Sequence, residues 1–257
     1  MNAPALDRDG EPLECHVRVD AAASGAWNMA VDEVALESAA ESGVCSLRFY
    51  RWSEPTLSLG YFQNFADRSS HAPSAKCPVV RRASGGGAIL HDREITYSLT
   101  MPLAPRAVKT ASWLYDIVHG SLIAALTLWK IQADRCEPAA STNELGPFMC
   151  FQRRACGDVL VDGQKVCGSA QRRRGSAILQ HGSLLVAASK SAPELPGLIE
   201  VSKAKFDESE LLAAWLAMLA ERMNLALAPT PMTGRESDRA AELVEEKYGN
   251  SKWTQRR

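Results

Sequence analysis

Three residues capable of nucleophilic or acid–base chemistry lie within one stretch of this sequence, from Phe148 to Leu185. Cys150 stands between apolar neighbours, Lys165 follows an Asp-Gly pair, and His181 precedes a glycine. A cysteine thiolate is a strong nucleophile, but a free thiol of pKa about 8.5 is only a few per cent ionised at neutral pH. A nearby ammonium group favours the thiolate. The stretch therefore contains the components of a cysteine-based site, provided that the fold brings them together.

The strands that would position these residues can be read from the alternation of the side chains. Asp158 to Leu160 and Lys165 to Ala170 are predicted strands, joined by the hairpin turn Asp162-Gly163 because both turn residues tolerate a positive φ. The polar segment Gln171 to Gly175 predicts a second turn, and Ala177 to Val186 a third strand. The expected result is a three-stranded antiparallel meander.

The orientation of side chains on the middle strand decides which of them can meet. A period of two places Lys165, Cys167 and Ser169 together on one face. A lysine buried on such a face needs a partner for its charge. Because Cys167 would face the same way as Lys165, it competes with Cys150 for the role of nucleophile. Either thiol is also readily explained as a small buried hydrophobe.

A second chemical stretch runs from Arg81 to Ser98. Three consecutive glycines, Gly85 to Gly87, let the backbone approach a ligand closely and expose amide donors. The adjacent Arg81 and Arg82 offer guanidinium groups for carbonyl, carboxylate or phosphate oxygens. A glycine run is also common in sharp turns, no GK[ST] sequence follows it, and His91 fits a site or a turn equally well. This stretch alone leaves a ligand site and a turn as open alternatives.

The remaining chain alternates predicted strands and amphipathic helices. Ser24 or Asn28 caps a helix that Gly43 ends. Residues 112–129 predict a helix with an apolar stripe, and His119 lies off this stripe, where we expect it to be solvated. We expect the strands ahead of this helix to form one continuous β-rich layer. The further predicted elements are strands at 15–19, 47–52, 56–61 and 79–80, and helices at 208–223 and 238–248.

Composition limits the class of protein. The chain has 257 residues with 46% hydrophobic content, enough for one large core, and its net charge of −1 argues against a general nucleic-acid binder. It has no apolar run of about 18 residues and starts with a polar, acidic segment. We therefore expect a cytoplasmic protein with a flexible tail over residues 1–12 and no membrane span. Seven cysteines without a CxxC pair indicate free thiols rather than disulfides or a zinc site.

The two chemical stretches together resemble a known family. The ordered motifs RRxSGGGAxxHD, DGxKxxGSAQ and HG are similar to those of the lipoate–protein ligase and octanoyltransferase group, whose fold is shared with biotin ligases. The resemblance implies an α+β fold of the biotin/lipoate protein ligase catalytic-domain type, with mixed and antiparallel sheets packed with helices. It also implies a catalytic domain over residues 13–190 and a helical C-terminal extension over residues 191–257. The biotin ligase signature GRGRxG is missing, which argues against biotin.

The resemblance also assigns residues to a site. In this family the motif positions line the acyl and acyl-activating site, and a lysine of a lipoyl domain or of glycine-cleavage H protein receives the acyl group. The residues that match are Lys165 as a catalytic residue and Arg82, Gly85, Gly86, Gly87, His91, Gly168 and His181 as substrate-binding residues, with no metal ligand. Related transferases often carry arginine where this chain has Gly87, so we expect its contacts with the acyl donor to differ.

Two features resemble the octanoyltransferase branch of this group rather than the ligase branch. The segment HDREITYS is similar to the HDxELTYS of those transferases, and Cys150-Phe151 stands where they place their nucleophile. That branch takes octanoate from acyl carrier protein as a thioester, holds it on a cysteine and uses no ATP. We therefore predict an octanoyltransferase with Cys150 as the nucleophile. Lys165 is expected to favour its thiolate and then to orient the thioester carbonyl or manage the proton of the incoming amine.

Three other functions remain as alternatives. One is an amidotransferase that moves acyl groups between lipoyl proteins. An ATP-dependent lipoate–protein ligase would need ATP and Mg²⁺ and would use Lys165 to hold an acyl-adenylate. A protein that binds acyl groups or lipoyl domains without turnover would keep the pocket alone. The expected partners of the transferase are octanoyl-acyl carrier protein and lipoyl domains or H protein. Arg172 to Arg174 form either a solvated turn or a contact for the acidic carrier protein.

Overall fold

The computed structural model describes residues 11–103, 112–137 and 146–257. The predicted tail over residues 1–12 therefore lies outside the described residues, except for its last two positions. In the three described ranges, no helix combines the length and the apolar composition that a bilayer crossing requires.

The described residues form strands and helices in the following order along the chain. The strands are β1 (Leu13–Val19), β2 (Cys45–Tyr50), β3 (Thr56–Leu59), β4 (Val79–Arg81), β5 (Ile89–His91), β6 (Glu94–Pro102), β7 (Ala133–Arg135), β8 (Val159–Val161), β9 (Gln164–Arg174), β10 (Ala177–Leu185) and β11 (Leu225–Pro229). The helices are α1 (Gly25–Ser42), α2 (Ser112–Leu126), α3 (Leu198–Ser202), α4 (Glu208–Met223), α5 (Gly234–Leu243) and α6 (Ser251–Thr254).

These strands form two separate sheets. The larger has the order β11-β1-β2-β6-β10-β9-β8-β7, and the smaller has the order β4-β3-β5. In the larger sheet β11, β1 and β2 are parallel, and every pair from β2 to β7 is antiparallel. The prediction of one continuous layer was wrong, because β2 pairs with β1 and β6 whereas β3 pairs with β4 and β5. Alternation marks a strand but does not say which strand it pairs with.

The two faces of the larger sheet have different roles. Leu47 and Phe49 belong to a large apolar core, in which α2 and α4 cover one face. The alternating residues Arg48 and Tyr50 point to the other face and bind Asp32 of α1. Mixed sheets packed with helices on both faces confirm the predicted α+β fold class. The candidate site lies on the face that carries the polar side chains.

Several local predictions were confirmed because they depend on neighbouring residues alone. The Ser24 hydroxyl accepts a hydrogen bond from the Trp27 amide at the start of α1, and Gly43 ends this helix with a φ of 68°. Asp162 and Gly163 make the turn between β8 and β9 with φ angles of 47° and 70°. The antiparallel pairing of β8, β9 and β10 confirms the meander.

Two predicted boundaries differ from the structure. β9 continues through the arginine run to Arg174, and only Gly175 and Ser176 turn into β10, because backbone pairing with β10 extends the strand past its polar residues. The segment after residue 190, predicted to be helical, also contains β11, which pairs in parallel with β1. This pairing places the segment in the same sheet as β1. A catalytic domain that ends at residue 190 stays a prediction.

Candidate active site

A cleft lies between the polar face of β9 and β10 and the loop that connects β4 to β5. Its empty volume, with its open mouth included, is about 450 Å³. Lys165 and Gly87 adjoin it through contacts with Cys150. The other predicted site residues line it, namely Arg82, Gly85, Gly86, His91, Cys150, Gly168 and His181. The fold therefore brings the two chemical stretches of the sequence together.

Backbone hydrogen bonds hold Cys150 against the segment that follows the glycine loop. Its amide donates to the Ala88 carbonyl at 2.7 Å, and the Ala88 amide donates to the Phe148 carbonyl at 3.0 Å. A Cβ at Gly87 would lie 3.1 Å from the Cys150 Cα, so glycine at this position allows the two segments to approach. The effect of Gly87 on contacts with an acyl donor stays a prediction.

The Lys165 ammonium lies beside the sulfur of Cys150. Its Nζ is 3.6 Å from Cys150 Sγ, 3.4 Å from the Cys150 carbonyl oxygen and 2.8 Å from Asp158 Oδ2. Burial acts to lower the pKa of Lys165, but a Cys150 thiolate and the Asp158 carboxylate outweigh it and raise that pKa above its usual value. Lys165 therefore keeps its proton at neutral pH and acts as a donor towards the cysteine.

Asp158 is the partner that the sequence did not identify. It is buried, and its carboxylate also accepts a hydrogen bond from the Ala155 amide at 2.7 Å. The expectation that a buried Lys165 needs a partner was correct. One sequence signal pointed to Asp158, because it is a charged residue at the start of a predicted apolar strand. That pattern marks Asp158 as unusual but does not predict that it binds Lys165.

A β-bulge changes the face on which Lys165 lies. The pairing of β8 with β9 shifts between Lys165 and Cys167, so Val166 is an extra residue in β9. Lys165 consequently lies on the same side as Gly168, where an added Cβ would be 2.8 Å from Nζ. The prediction that Lys165 shares a face with Cys167 and Ser169 was wrong for this reason. Gly168 leaves the space that the ammonium occupies.

The two candidate cysteines differ in their surroundings. Cys167 is fully buried in the apolar core, and burial raises the pKa of its thiol. Cys150 is half-buried and lines the cleft. A structural thiol buried among apolar groups is inert, whereas a partly exposed thiol beside a cation can react. Cys150 is therefore the thiol that a molecule in the cleft can reach.

His181 is held between a carboxylate and a hydroxyl. Its Nδ1 is 3.0 Å from Asp32 Oδ2, and its Nε2 is 2.6 Å from Ser84 Oγ. Burial acts to raise the pKa of Asp32, but the hydrogen bond with His181 and the charge of Arg48 outweigh it and lower that pKa. A serine, histidine and aspartate in this order can form a nucleophilic triad. Ser84 is only 1% exposed, so here the arrangement orients the His181 ring instead.

His91 has an analogous environment built from other residues. Its Nε2 is 2.6 Å from Ser58 Oγ, and its Nδ1 is 2.6 Å from Glu94 Oε1. The ring stacks on Trp52 with 3.8 Å between ring centroids. Burial lowers the pKa of His91, and Glu94 offsets this only in part. The sequence marked His91 but gave no sign of Ser58 and Glu94 as its partners.

His119 is buried rather than solvated, so that prediction was wrong. Its Nδ1 is 2.6 Å from the Gly157 carbonyl oxygen, and its Nε2 is 2.6 Å from Ser169 Oγ. Ser169 in turn lies 2.6 Å from the Tyr97 hydroxyl. Burial lowers the pKa of His119. The helix flank that periodicity assigned to solvent is covered by β9 and by the loop before β8, which the sequence of α2 alone does not reveal.

The two adjacent arginines bind backbone carbonyls. Arg82 lines the cleft and donates to the Gly85 and Gly87 carbonyls at 3.2 and 2.9 Å, which holds the glycine loop in shape. Burial lowers the pKa of Arg82 to about 10. Arg81 instead donates twice to the Thr254 carbonyl, at 3.0 and 2.9 Å, and so anchors α6. Only Arg82 of this pair belongs to the cleft.

The cleft combines a reachable thiol, an ammonium donor and apolar walls that include Met29, Ile89 and Phe151. Within the described ranges, no three histidine, cysteine, aspartate or glutamate side chains are grouped so that they could hold a metal ion. Such a cleft suits acyl transfer through a cysteine thioester. The thiolate attacks a carbonyl carbon, and the neighbouring ammonium stabilises the negative charge that develops.

Comparison with known proteins identifies relatives over most of the chain. A family model described as the lipoyl protein ligase A/B catalytic domain matches residues 24–210. The octanoyltransferase LipM of Carboxydothermus hydrogenoformans is 32% identical over 255 residues, which cover 90% of this chain and 94% of that protein. The octanoyltransferase LipM of Brevibacillus brevis is 32% identical over 269 residues, covering 93% of this chain and 98% of that protein.

Solved structures of lipoate protein ligases share the fold. Lipoate-protein ligase A bound with ATP has a TM-score of 0.76 at 19% identity, covering 95% of this chain and 99% of that chain. The bi-partite lipoate protein ligase from Thermoplasma acidophilum has a TM-score of 0.76 at 18% identity, covering 95% and 96%. The predicted ligase type of fold is thereby confirmed.

Proposed function

We infer that this chain, which belongs to the lipoyl protein ligase A/B catalytic-domain family, is an octanoyltransferase of protein lipoylation. We further propose that it carries the octanoyl group on Cys150 as a thioester. The observation that supports this mechanism is a reachable thiol 3.6 Å from the Lys165 ammonium in a cleft with apolar walls.

The proposed reaction has two balanced steps. In the first, the Cys150 thiolate attacks the carbonyl carbon of an octanoyl thioester; a new C–S bond forms, the C–S bond to the donor breaks, and the donor thiolate takes up a proton. In the second, the neutral amine of an acceptor lysine attacks the Cys150 thioester. A C–N bond forms, the C–S bond to Cys150 breaks, and the amine releases its proton. The first step exchanges one thioester for another, so it needs no phosphate energy.

Lys165 supports both steps as a charged donor rather than as a base. Its raised pKa keeps the ammonium protonated, so it can donate to the Cys150 sulfur 3.6 Å away. The same N–H groups can stabilise the oxyanion of each tetrahedral intermediate, which forms next to the sulfur. The Asp158 carboxylate holds the ammonium in this place. Because Lys165 keeps its proton, the acceptor amine has to lose its own proton to the leaving thiolate or to solvent.

The partners follow from this chemistry. An acyl carrier supplies the thioester, and a lipoyl domain receives the acyl group. We propose octanoyl-acyl carrier protein as the donor, and a lipoyl domain or glycine-cleavage H protein as the acceptor. The proposal includes no ATP and no metal ion, because the acyl group arrives already activated. A ligase would differ at this point, since free lipoate or octanoate has to be activated with ATP.

The test is to isolate the acyl-enzyme. Incubation with octanoyl-carrier protein, without ATP or acceptor, should add one octanoyl group to Cys150, detected by mass spectrometry, labile to hydroxylamine and discharged by a lipoyl domain. Cys150→Ser should lower transfer by at least about a thousandfold, because a serine hydroxyl is barely ionised at neutral pH. Cys156→Ser, an exposed cysteine in the same segment, is the matched control and should transfer normally.

The buried Cys167 provides a second control, and Cys167→Ala should still form the acyl-enzyme. Normal transfer by Cys150→Ser would contradict the proposed mechanism. The ligase alternative would replace it if no acyl-enzyme forms while free octanoate or lipoate is transferred in the presence of ATP and Mg²⁺. An octanoyl group that binds but never reaches a lipoyl domain would instead favour an acyl-binding protein.

A further inference from the structure

A group of arginines next to the cleft has no part in the proposed chemistry. The guanidinium carbons of Arg256 and Arg172 lie 4.2 and 5.7 Å from the ring centroid of Tyr61. That of Arg257 lies 5.4 Å from the ring centroid of Phe62. All three arginines are exposed. We call this surface, made of Arg172, Arg256, Arg257, Tyr61 and Phe62, the arginine rim.

Distant parts of the chain build the arginine rim. Arg172 comes from the end of β9, whereas the other two arginines follow α6. Helix α6 is tied to β4, because Arg81 Nε donates to the Thr254 carbonyl at 3.0 Å and Trp253 Nε1 donates to the Arg81 carbonyl at 2.9 Å. Both Arg81 and Thr254 are buried. Buried contacts of α6 therefore fix the position of the two arginines that follow it.

The charge of the arginine rim is not neutralised by the rest of the described chain. Its three arginines form no ion pair with a carboxylate of the described residues, whereas the neighbouring Arg174 pairs with Glu37 at 2.8 Å. A hydrogen bond from Arg256 lowers the pKa of Tyr61, and the charges of all three arginines act in the same direction. Like charges held this close repel one another, so a bound anion would be stabilised there.

The arginine rim lies beside a groove that adjoins the cleft. The Tyr61 amide donates to the Ser84 carbonyl at 2.8 Å, immediately before the glycine loop. A second groove, of about 830 Å³ with its open mouth included, is lined by Tyr61, Arg172 and Trp253 and also by His181. His181 lines the cleft as well. The groove beside the rim and the cleft that holds Cys150 therefore adjoin at His181.

We propose, on the premise of the octanoyl transfer above, that the arginine rim is the docking surface for the acidic carrier protein that delivers the octanoyl thioester. Charge complementarity favours this partner, because an acidic protein with a phosphate-linked arm matches exposed and unpaired guanidinium groups. Phe62, which lies under Arg257, is 67% exposed and adds an apolar contact. The acceptor fits less well, because its lysine approaches as a cation that the rim repels.

The test compares two donors in two double variants. Arg172→Gln/Arg256→Gln removes two rim charges, and Arg222→Gln/Arg235→Gln removes the same charge from exposed sites on α4 and α5. The donors are octanoyl-carrier protein and octanoyl-pantetheine, which is small and uncharged. The rim variant should lose about tenfold in kcat/KM with the carrier protein, mainly through KM, and its salt dependence should flatten. Its kinetics with octanoyl-pantetheine, and both activities of the control variant, should match the parent protein.

Each other outcome overturns the proposal. Unchanged kinetics of the rim variant, or an equal loss in the control variant, would show that the rim does not recognise the carrier protein. An equal loss with both donors would show that the arginines act on the reaction itself. A raised KM for the lipoyl domain with normal donor kinetics would assign the rim to the acceptor. The two proposals can be distinguished with the parent protein. Transfer from octanoyl-pantetheine would support the octanoyltransferase even if docking on the rim fails. Transfer from neither donor would contradict both proposals.

Discussion

The cleft has two walls whose polar groups are used in different ways. On one wall, the Lys165 ammonium makes one short contact, with Asp158 at 2.8 Å, and longer ones with Cys150. On the other wall, each ring nitrogen of His91 and His181 lies within 3.0 Å of a hydroxyl or carboxylate oxygen. Two of the three ammonium N–H groups make only these longer contacts, which a substrate can replace, whereas both ring nitrogens of each histidine make short contacts.

This difference distinguishes groups that can take part in the reaction from groups that stabilise the shape of the cleft. Hydrogen bonds at both ring nitrogens fix the orientation of each histidine, and changing the ring would cost those bonds. An ammonium whose contacts with a reachable thiol are long can respond to charge that develops during a reaction. We therefore expect chemistry at Lys165 and Cys150. We expect His91 and His181 to shape the cleft, and their role in substrate binding stays a prediction.

The largest effect is expected on the lysine wall. Lys165→Ala should lower octanoyl transfer by about 10²–10⁴-fold while the circular dichroism spectrum keeps its folded form, because the thiolate and the oxyanion lose their cation. Lys165→Arg should not restore activity, because a guanidinium has a different donor geometry from an ammonium. Steady-state transfer to a lipoyl domain is the measurement. Near-normal turnover of either variant would make Lys165 a structural residue and remove the contrast between the walls.

A smaller effect is expected from the partner of the lysine. Asp158→Asn should lower transfer by about ten- to a hundredfold, because the ammonium moves away from the sulfur. It should also lower the free energy of unfolding by on the order of 3 kcal/mol, because a buried charge loses its counter-ion. Urea unfolding and transfer assays measure the two effects. The matched control is Asp162→Asn in the β8–β9 turn, where asparagine tolerates the φ of 47°, and it should change neither quantity. An unchanged Asp158→Asn protein would show that Lys165 does not depend on this ion pair.

The smallest effect on transfer is expected from a buried histidine, where pH should reveal the structural role. Burial lowers the pKa of His91 and of His119 below the usual 6.5, so the unfolded chain binds protons before the folded one does. The free energy of unfolding should therefore have its highest value above about pH 6.5. It should fall as the pH drops towards the folded pKa values, by at most about 1.4 kcal/mol per pH unit for each histidine. His119→Asn should make this dependence shallower in urea unfolding at pH 7.5 and 5.5.

The control for this experiment is His16→Asn, since the His16 side chain is 37% exposed. It should leave the pH dependence of unfolding as it is in the parent protein. An unaltered slope in His119→Asn would mean that the buried histidine is not a source of the acid sensitivity. A large loss of transfer in His119→Asn at pH 7.5 would show that the network of His119 and Ser169 takes part in the reaction.

The sequence determined the features that depend on neighbouring residues. Ser24 and Gly43 bound α1, and Asp162-Gly163 forms the β8–β9 turn, because caps and turns follow from the conformational preferences of single residues. The order of three motifs indicated the family and with it the fold. Most predicted site residues also line one cleft.

Tertiary structure alone decided the features that depend on pairing between distant strands. The bulge at Val166 moves Lys165 away from Cys167, and a pattern of alternating side chains cannot show a register shift that arises only when β8 meets β9. The burial of His119 and the joining of β11 to β1 have the same origin. Tertiary structure also gave two nearby arginines different surroundings. Among the described residues, Arg172 has no ion pair in the arginine rim, whereas Arg174 binds Glu37. Identical residue types two positions apart acquired different roles because packing, rather than sequence, placed a carboxylate beside only one of them.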